Sequence, residues 1–152
     1  MRVYLGSDHA GLWLKGRIAE FLAQRSHEAF DLGAYIHDPE DDYPDYAARV
    51  CEKVLAEGAQ GILICGTGQG MDRAANKFPG IDAAVCWDEL SARVAREHGN
   101  VNILCMGARC VDESLAKKII LAWLEGAFSN EARHVRRIAK IREIEGGYLK
   151  KR

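Results

Sequence analysis

The residues best placed by type and spacing to do chemistry are Cys65-Gly66-Thr67-Gly68-Gln69-Gly70. The apolar run Ile62-Leu63-Ile64 leads straight into the cysteine, and glycines follow at alternate positions. An apolar run this short, bounded by glycine, reads as a buried parallel strand. The glycines permit a tight turn and bring several backbone N–H groups towards one anion or oxyanion. Met71 to Lys77 reads as helical, so the loop opens onto a helix N-terminus. A thiol beside amide donors and a positive dipole end is favoured as a thiolate. The plain alternative is a small buried hydrophobe before a packing turn, the ordinary role of a cysteine; the glycine spacing argues for function. The loop is neither a Walker loop, since no Gly-Lys-Ser/Thr follows, nor a dinucleotide fingerprint.

Other polar residues fall at predicted strand ends. Asp8 and His9 follow the first strand, and Arg109 follows the last. His98, in Glu97-His98-Gly99-Asn100, closes a helix just before the fifth strand. It reads either as a helix cap or as an acid/base imidazole near the strand edge that carries Cys65. Asp42-Tyr43-Pro44 reads as a solvated turn. Arg133 and Arg137 share one helix face, either as solvated charge or as a bidentate phosphate grip. Cys51, Cys86, Cys105 and Cys110 read as packing residues, and Trp13, Trp87 and Trp123 as core or interface.

The elements that must position these groups alternate strand and helix. Strands are expected at Val3–Ser7, His27–Leu32, Ile62–Cys65, Ile81–Cys86 and Asn102–Met106. Helices are expected at Leu12–Gln24, Tyr46–Glu57 (ended by Gly58), from Met71 to Pro79-Gly80, from an Asp88 cap through Arg96, at Asp112–Gly126 and at Asn130–Glu145. Ile36 to Asp45 reads as a loop, and Gly146-Gly147 to Arg152 as a frayed tail. This order gives one α/β domain over 1–152, with a doubly wound, Rossmann-like five-stranded parallel sheet flanked by helices. Ligands of such sheets bind outside the strands' carboxyl ends.

Composition narrows the classes further. With 152 residues, 48% hydrophobic and 28% charged, the chain suits one globular domain. A net charge of -1 gives no reason to expect nucleic acid or an anionic membrane as partner. No apolar run is long enough to span a bilayer, and Met1 to Leu5 enters a strand pattern without a signal-peptide core. Five cysteines, without CxxC pairs or metal-ligand spacing, suit reduced thiols and a cytoplasmic location.

Taken together, Gly6-x-Asp8-His9-Ala10-Gly11, Asp42-Tyr43-Pro44, Cys65-Gly66-Thr67-Gly68-x-Gly70-Met71, Ala74-Ala75-Asn76-Lys77-x-Pro79-Gly80, Ser91-Ala92-x-x-Ala95-Arg96-Glu97-His98, Gly107-Ala108-Arg109 and Arg133-His134-x-x-Arg137 resemble ribose-5-phosphate isomerase B, of the family that includes the galactose-6-phosphate isomerase subunits. The resemblance runs from residue 3 to about 145. It implies an aldose–ketose isomerase of sugar phosphates that works through an enediolate, with no metal and no cofactor. It implies Cys65 as the base, Thr67 beside it, and the amides of Gly66, Gly68, Gln69 and Gly70 around the oxyanion. His98 would help open the sugar ring, with Asp42 and Tyr43 nearby; Asp8 would meet sugar hydroxyls. His9 and Arg109 would bind phosphate with Arg133 and Arg137, the last two reaching from a C-terminal helix into a neighbouring subunit. The unit implied is a homodimer or homotetramer with shared active sites. The chain departs from the family's usual pattern at Gly99-Asn100, Gln69, Asp72-Arg73 and Asp82. Gly99 removes an amide near the sugar, a role left open to Asn100.

Overall fold

Alternate residues of the first strand serve two different cores. In the computed structural model, which describes residues 1–149, Val3 and Leu5 face one apolar layer and Tyr4 the other. Five strands form one parallel sheet: β1 (Arg2–Ser7), β2 (Glu28–Asp31), β3 (Gln60–Cys65), β4 (Ala83–Val85) and β5 (Ile103–Gly107), in the order β2-β1-β3-β5-β4. On one face Ile62, Ile64, Leu104 and Met106 pack under α1 (Leu12–Gln24) and α5 (Glu113–Leu124), through Leu14, Ile18, Ile119, Ile120 and Trp123. On the other, Leu63, Cys65 and Cys105 meet α2 (Tyr43–Glu57) and α3 (Gln69–Ala75), through Val50, Cys51, Val54 and Met71. The remaining helices are α4 (Glu89–Gly99) and α6 (Ala132–Leu149). Sheet and helix order agree with the doubly wound expectation.

The boundaries move for local reasons. α2 starts at Tyr43, three residues earlier than expected, because Pro44 in its first turn is preset for a helix. β4 is an edge strand of only three residues instead of Ile81–Cys86. Asn100, in the left-handed region, closes α4. The expected frayed tail is helical as far as Leu149, while Lys150–Arg152 lie outside the described residues. A clasp holds this late helix down. The Glu145 carboxylate accepts the Gly80 N–H and pairs with Arg142, which in turn pairs with Asp82.

Candidate active site

The strand order reverses between β1 and β3, so their carboxyl ends open a crevice at the sheet's switch point. Asp8-His9 leaves one side of it and the Cys65 loop the other. Gly68 has φ +83°, which a side-chain-bearing residue adopts only under strain, and its N–H points back at Cys65 Sγ at 3.2 Å. Cys65 is 4% exposed, and the loop beyond it turns outward, leaving Thr67 and Gln69 at the surface. A cavity of about 300 Å³ opens beside the loop, lined by Thr67, Gln69, Val85, Cys86, Trp87, Gly107 and Cys110. Cys65 is not among the residues that line it, and its sulfur is reached through the loop that Thr67 and Gly68 form.

Close approach fixes the loop's neighbours. A methyl group on Gly107 would lie 2.6 Å from the Thr67 backbone, so β5 must end in glycine there. Arg109 Nη1 would stand 2.8 Å from a Cβ on Gly66, so its guanidinium lies against that glycine. The Tyr43 ring would be as near to one on Gly70. Backbone bonds from Ala108 N to Cys65 O and from Arg109 N to Gly66 O tie the two strand exits together. The other buried thiols are poor acids. Burial pushes Cys51 up to about 12 and Cys86 to about 11, and raises Cys105 strongly as well. All three suit the packing role expected of them.

On the β1 side, Asp8 accepts the N–H groups of Ala10 and Gly11, which orders the turn into α1. His9 Nδ1 meets Asp41 Oδ1 at 2.6 Å. Asp8, His9 and Asp41 bring donor atoms within 4.8 Å of one another, with one oxygen of each carboxylate and His9 Nδ1 held in hydrogen bonds. Asp41 is the residue that sequence reasoning missed. Its neighbour Asp42, expected near the substrate, is exposed and gives α2 its N-cap without a side-chain bond. Two adjacent carboxylates look alike in sequence, and nothing local links Asp41 to a histidine 32 positions earlier.

His98 lies elsewhere than expected. α4 ends before β5 begins, so His98, Gly99 and Asn100 stand at the sheet's amino edge, opposite Cys65. From Gly61 to Cys65 the strand rises about 13 Å at roughly 3.3 Å per residue, so one chain cannot bring His98 to Cys65. His98 instead stacks on His134, centroids 4.1 Å apart. Ser129 holds that ring, Oγ to Nδ1 2.8 Å, and donates its own N–H to Glu97 O. Burial, followed by the charges of His98 and Arg133, lowers the pKa of His134. Arg133 and Arg137 are exposed beside this pair. The Asn100 amide oxygen accepts from Arg96.

The groups therefore form two clusters. Asp8, His9, Asp41, Tyr43, the loop from Cys65 to Gly70 and Arg109 gather at one edge. His98, His134, Arg133 and Arg137 gather at the other.

Known proteins supply a frame for these clusters. The Ribose/Galactose Isomerase family matches residues 3–141. Ribose-5-phosphate isomerase B of Mycobacterium tuberculosis is 42% identical over 95% of this chain and 90% of its own. That of Escherichia coli is 43% identical over 95% and 96%. A solved ribose-5-phosphate isomerase B from Clostridium thermocellum superposes with a TM-score of 0.94 at 46% identity, covering 97% of this chain and 99% of that one. The Mycoplasma genitalium enzyme, solved with bound ribulose 5-phosphate, gives 0.91 at 43% identity, covering 95% and 96%. With its five-stranded parallel sheet, its paired strand exits and matches of this extent, this chain belongs to the ribose/galactose isomerase family.

Proposed function

We propose that this protein interconverts ribose 5-phosphate and ribulose 5-phosphate, with Cys65 as the base and no metal or cofactor. The observation that carries the reading is the amide-held sulfur at the switch point, with Arg109 against Gly66 of the same loop and within charge range of His9. The carbon acid of a sugar is weak, so the base must touch it and the enediolate must be stabilised as it forms. The Cys65 thiolate takes the C2 proton of the open-chain aldose. The electron pair forms a C1–C2 double bond and charge collects on O1, facing the loop amides. Thr67 passes the O2 hydroxyl proton to O1. The proton on sulfur then goes to C1 as the O2 carbonyl closes, which regenerates the thiolate. Loss of one such amide donor typically costs about 10²–10³ in rate.

The second cluster enters from a second copy. Leu90, Val94 and His98 are exposed at i, i+4, i+8 spacing, so they form one stripe along α4, and exposed Trp87 stands just before the helix cap. α4 has 11 residues, about 16 Å, close to the separation of the two edges. Two copies paired about a two-fold axis along this stripe would lay His98 of each over the Trp87 end of the other, beside the cavity that Thr67 lines. Arg133 and Arg137 would follow with the same edge and close on the phosphate held by His9 and Arg109. The unit this reading requires is a homodimer with shared active sites.

A second reading, isomerisation of a six- or four-carbon aldose phosphate, is favoured by one observation. Gly99 carries no side chain beside His98, and the Asn100 amide that could replace one is turned to Arg96. Ranking ribose, allose, galactose and erythrose phosphates by kcat/KM separates the two. The decisive experiment is conversion of ribose 5-phosphate in the presence of a chelator, with solvent deuterium entering the transferred position. Full activity in Cys65→Ala overturns the mechanism. Tight binding without deuterium exchange replaces it with a non-catalytic sugar-phosphate binder.

A further inference from the structure

We infer that Asp41 is a positioning residue: it holds His9 by Nδ1 so that the imidazole presents Nε2–H, as a cation, to the substrate phosphate. The inference rests on the isomerase reading only in naming the phosphate as that of a sugar. Asp41 Oδ1 meets His9 Nδ1 at 2.6 Å and also accepts the His9 backbone N–H at 3.2 Å, so one oxygen fixes both the ring and its main chain. The Asp41 side chain is 7% exposed, and its second oxygen is buried with no hydrogen-bond partner. A carboxylate held this dry, with one oxygen otherwise unused, is costly unless it faces a cation. Other groups face the pair from the neighbouring elements. Asp8 lies on the same turn, the His37 ring meets His9 edge-on at 5.6 Å, and Tyr46 of α2 stands by Asp41. Arg109 comes from the β5 exit.

The charges agree with this geometry. The hydrogen bond to Asp41 holds His9 above the ordinary histidine range. Partial burial opposes it, Asp8 adds to it and Arg109 subtracts. With Nδ1 bound to the carboxylate, the opposite ring nitrogen is the donor left for a ligand. A histidine so held keeps its charge to higher pH than a free imidazole and loses it as pH rises through its raised pKa. Phosphate affinity should fall over that same range.

The test compares wild type with Asp41→Asn, an isostere without the charge, and with Glu40→Gln as an exposed control on the same loop. The His9 imidazole is followed by ¹⁵N NMR, and inorganic phosphate is the probe. In D41N the His9 titration should move down. KM for ribose 5-phosphate and Kd for phosphate should rise about tenfold at pH 8, with kcat changed far less. The alkaline limb of kcat/KM should shift to lower pH, while E40Q leaves all of these unchanged. Where D41N does not fold, Asp41→Glu and the wild-type titration carry the test. A wild-type His9 that titrates at or below the ordinary value, or a D41N protein with an unmoved pH profile, overturns the assignment. If the wild type binds phosphate through a high-titrating His9 yet does not turn over ribose 5-phosphate, the isomerase reading falls and this one stands.

Discussion

The imidazole of His98 lies on that of His134, ring centroids 4.1 Å apart and planes tilted by 30°. The contact joins the end of α4 to the start of α6 at the sheet edge remote from Cys65. If both edges serve one reaction, the reaction needs two chains.

Subunit complementation tests this directly. Cys65→Ala and His98→Asn homodimers should each be inactive or nearly so. When the two are co-refolded in equal amounts, half the dimers are mixed and each mixed dimer holds one intact site. Activity should recover to roughly a quarter of wild type. A site contained within one chain would show no recovery.

Gly107 is the place where packing and chemistry meet. Gly107→Ala would push a methyl into the Thr67 backbone, 2.6 Å away. Overpacking of this kind costs about 1–3 kcal/mol. We expect a lower Tm and a kcat loss larger than any change in KM, since the displaced loop holds the base and its amides. Wild-type kcat in a folded G107A protein would show that the Thr67 turn tolerates displacement.

The Asp82–Arg142–Glu145 clasp should set the pose of α6, and with it Arg133 and Arg137. Asp82→Asn should cost about 1 kcal/mol or less in stability, as expected for a partly exposed pair. Its clearer effect should be a raised KM for sugar phosphates at constant kcat. The swap Asp82→Arg with Arg142→Asp should restore much of the loss. An unchanged KM in D82N would mean that α6 is held by other contacts.

His134 predicts an acid limit. Its folded-state pKa lies below the free value of 6.5, chiefly because it is buried. The unfolded chain therefore binds the proton more readily, and stability attributable to this group is lost as pH falls below about 6.5. Thermal melts between pH 8 and 5 should show a steeper decline in wild type than in His134→Gln. Parallel declines would remove His134 from the acid response.

Much of this was legible in the chain itself. The apolar start at Val3, Tyr4 and Leu5, the apolar run into Cys65 and the glycines after it are local patterns, and local patterns write strands and turns. The same holds for Asp8-His9 as a strand exit and for the strand and helix order. Three features depended on contacts distant in sequence. Asp41 rather than Asp42 reaches His9, because the chain folds the loop before α2 back over β1. Gly146 and Gly147 stay helical although glycine disfavours it, because Glu145 and Arg142 anchor the preceding turn to Gly80 and Asp82. His98 stands opposite Cys65, because a helix that returns a parallel strand must end at the edge where the next strand begins. Residue types and short spacings thus determined the chemistry on offer and the fold that carries it. Which groups share an edge was decided only when the sheet closed, since that depends on pairings between segments tens of residues apart.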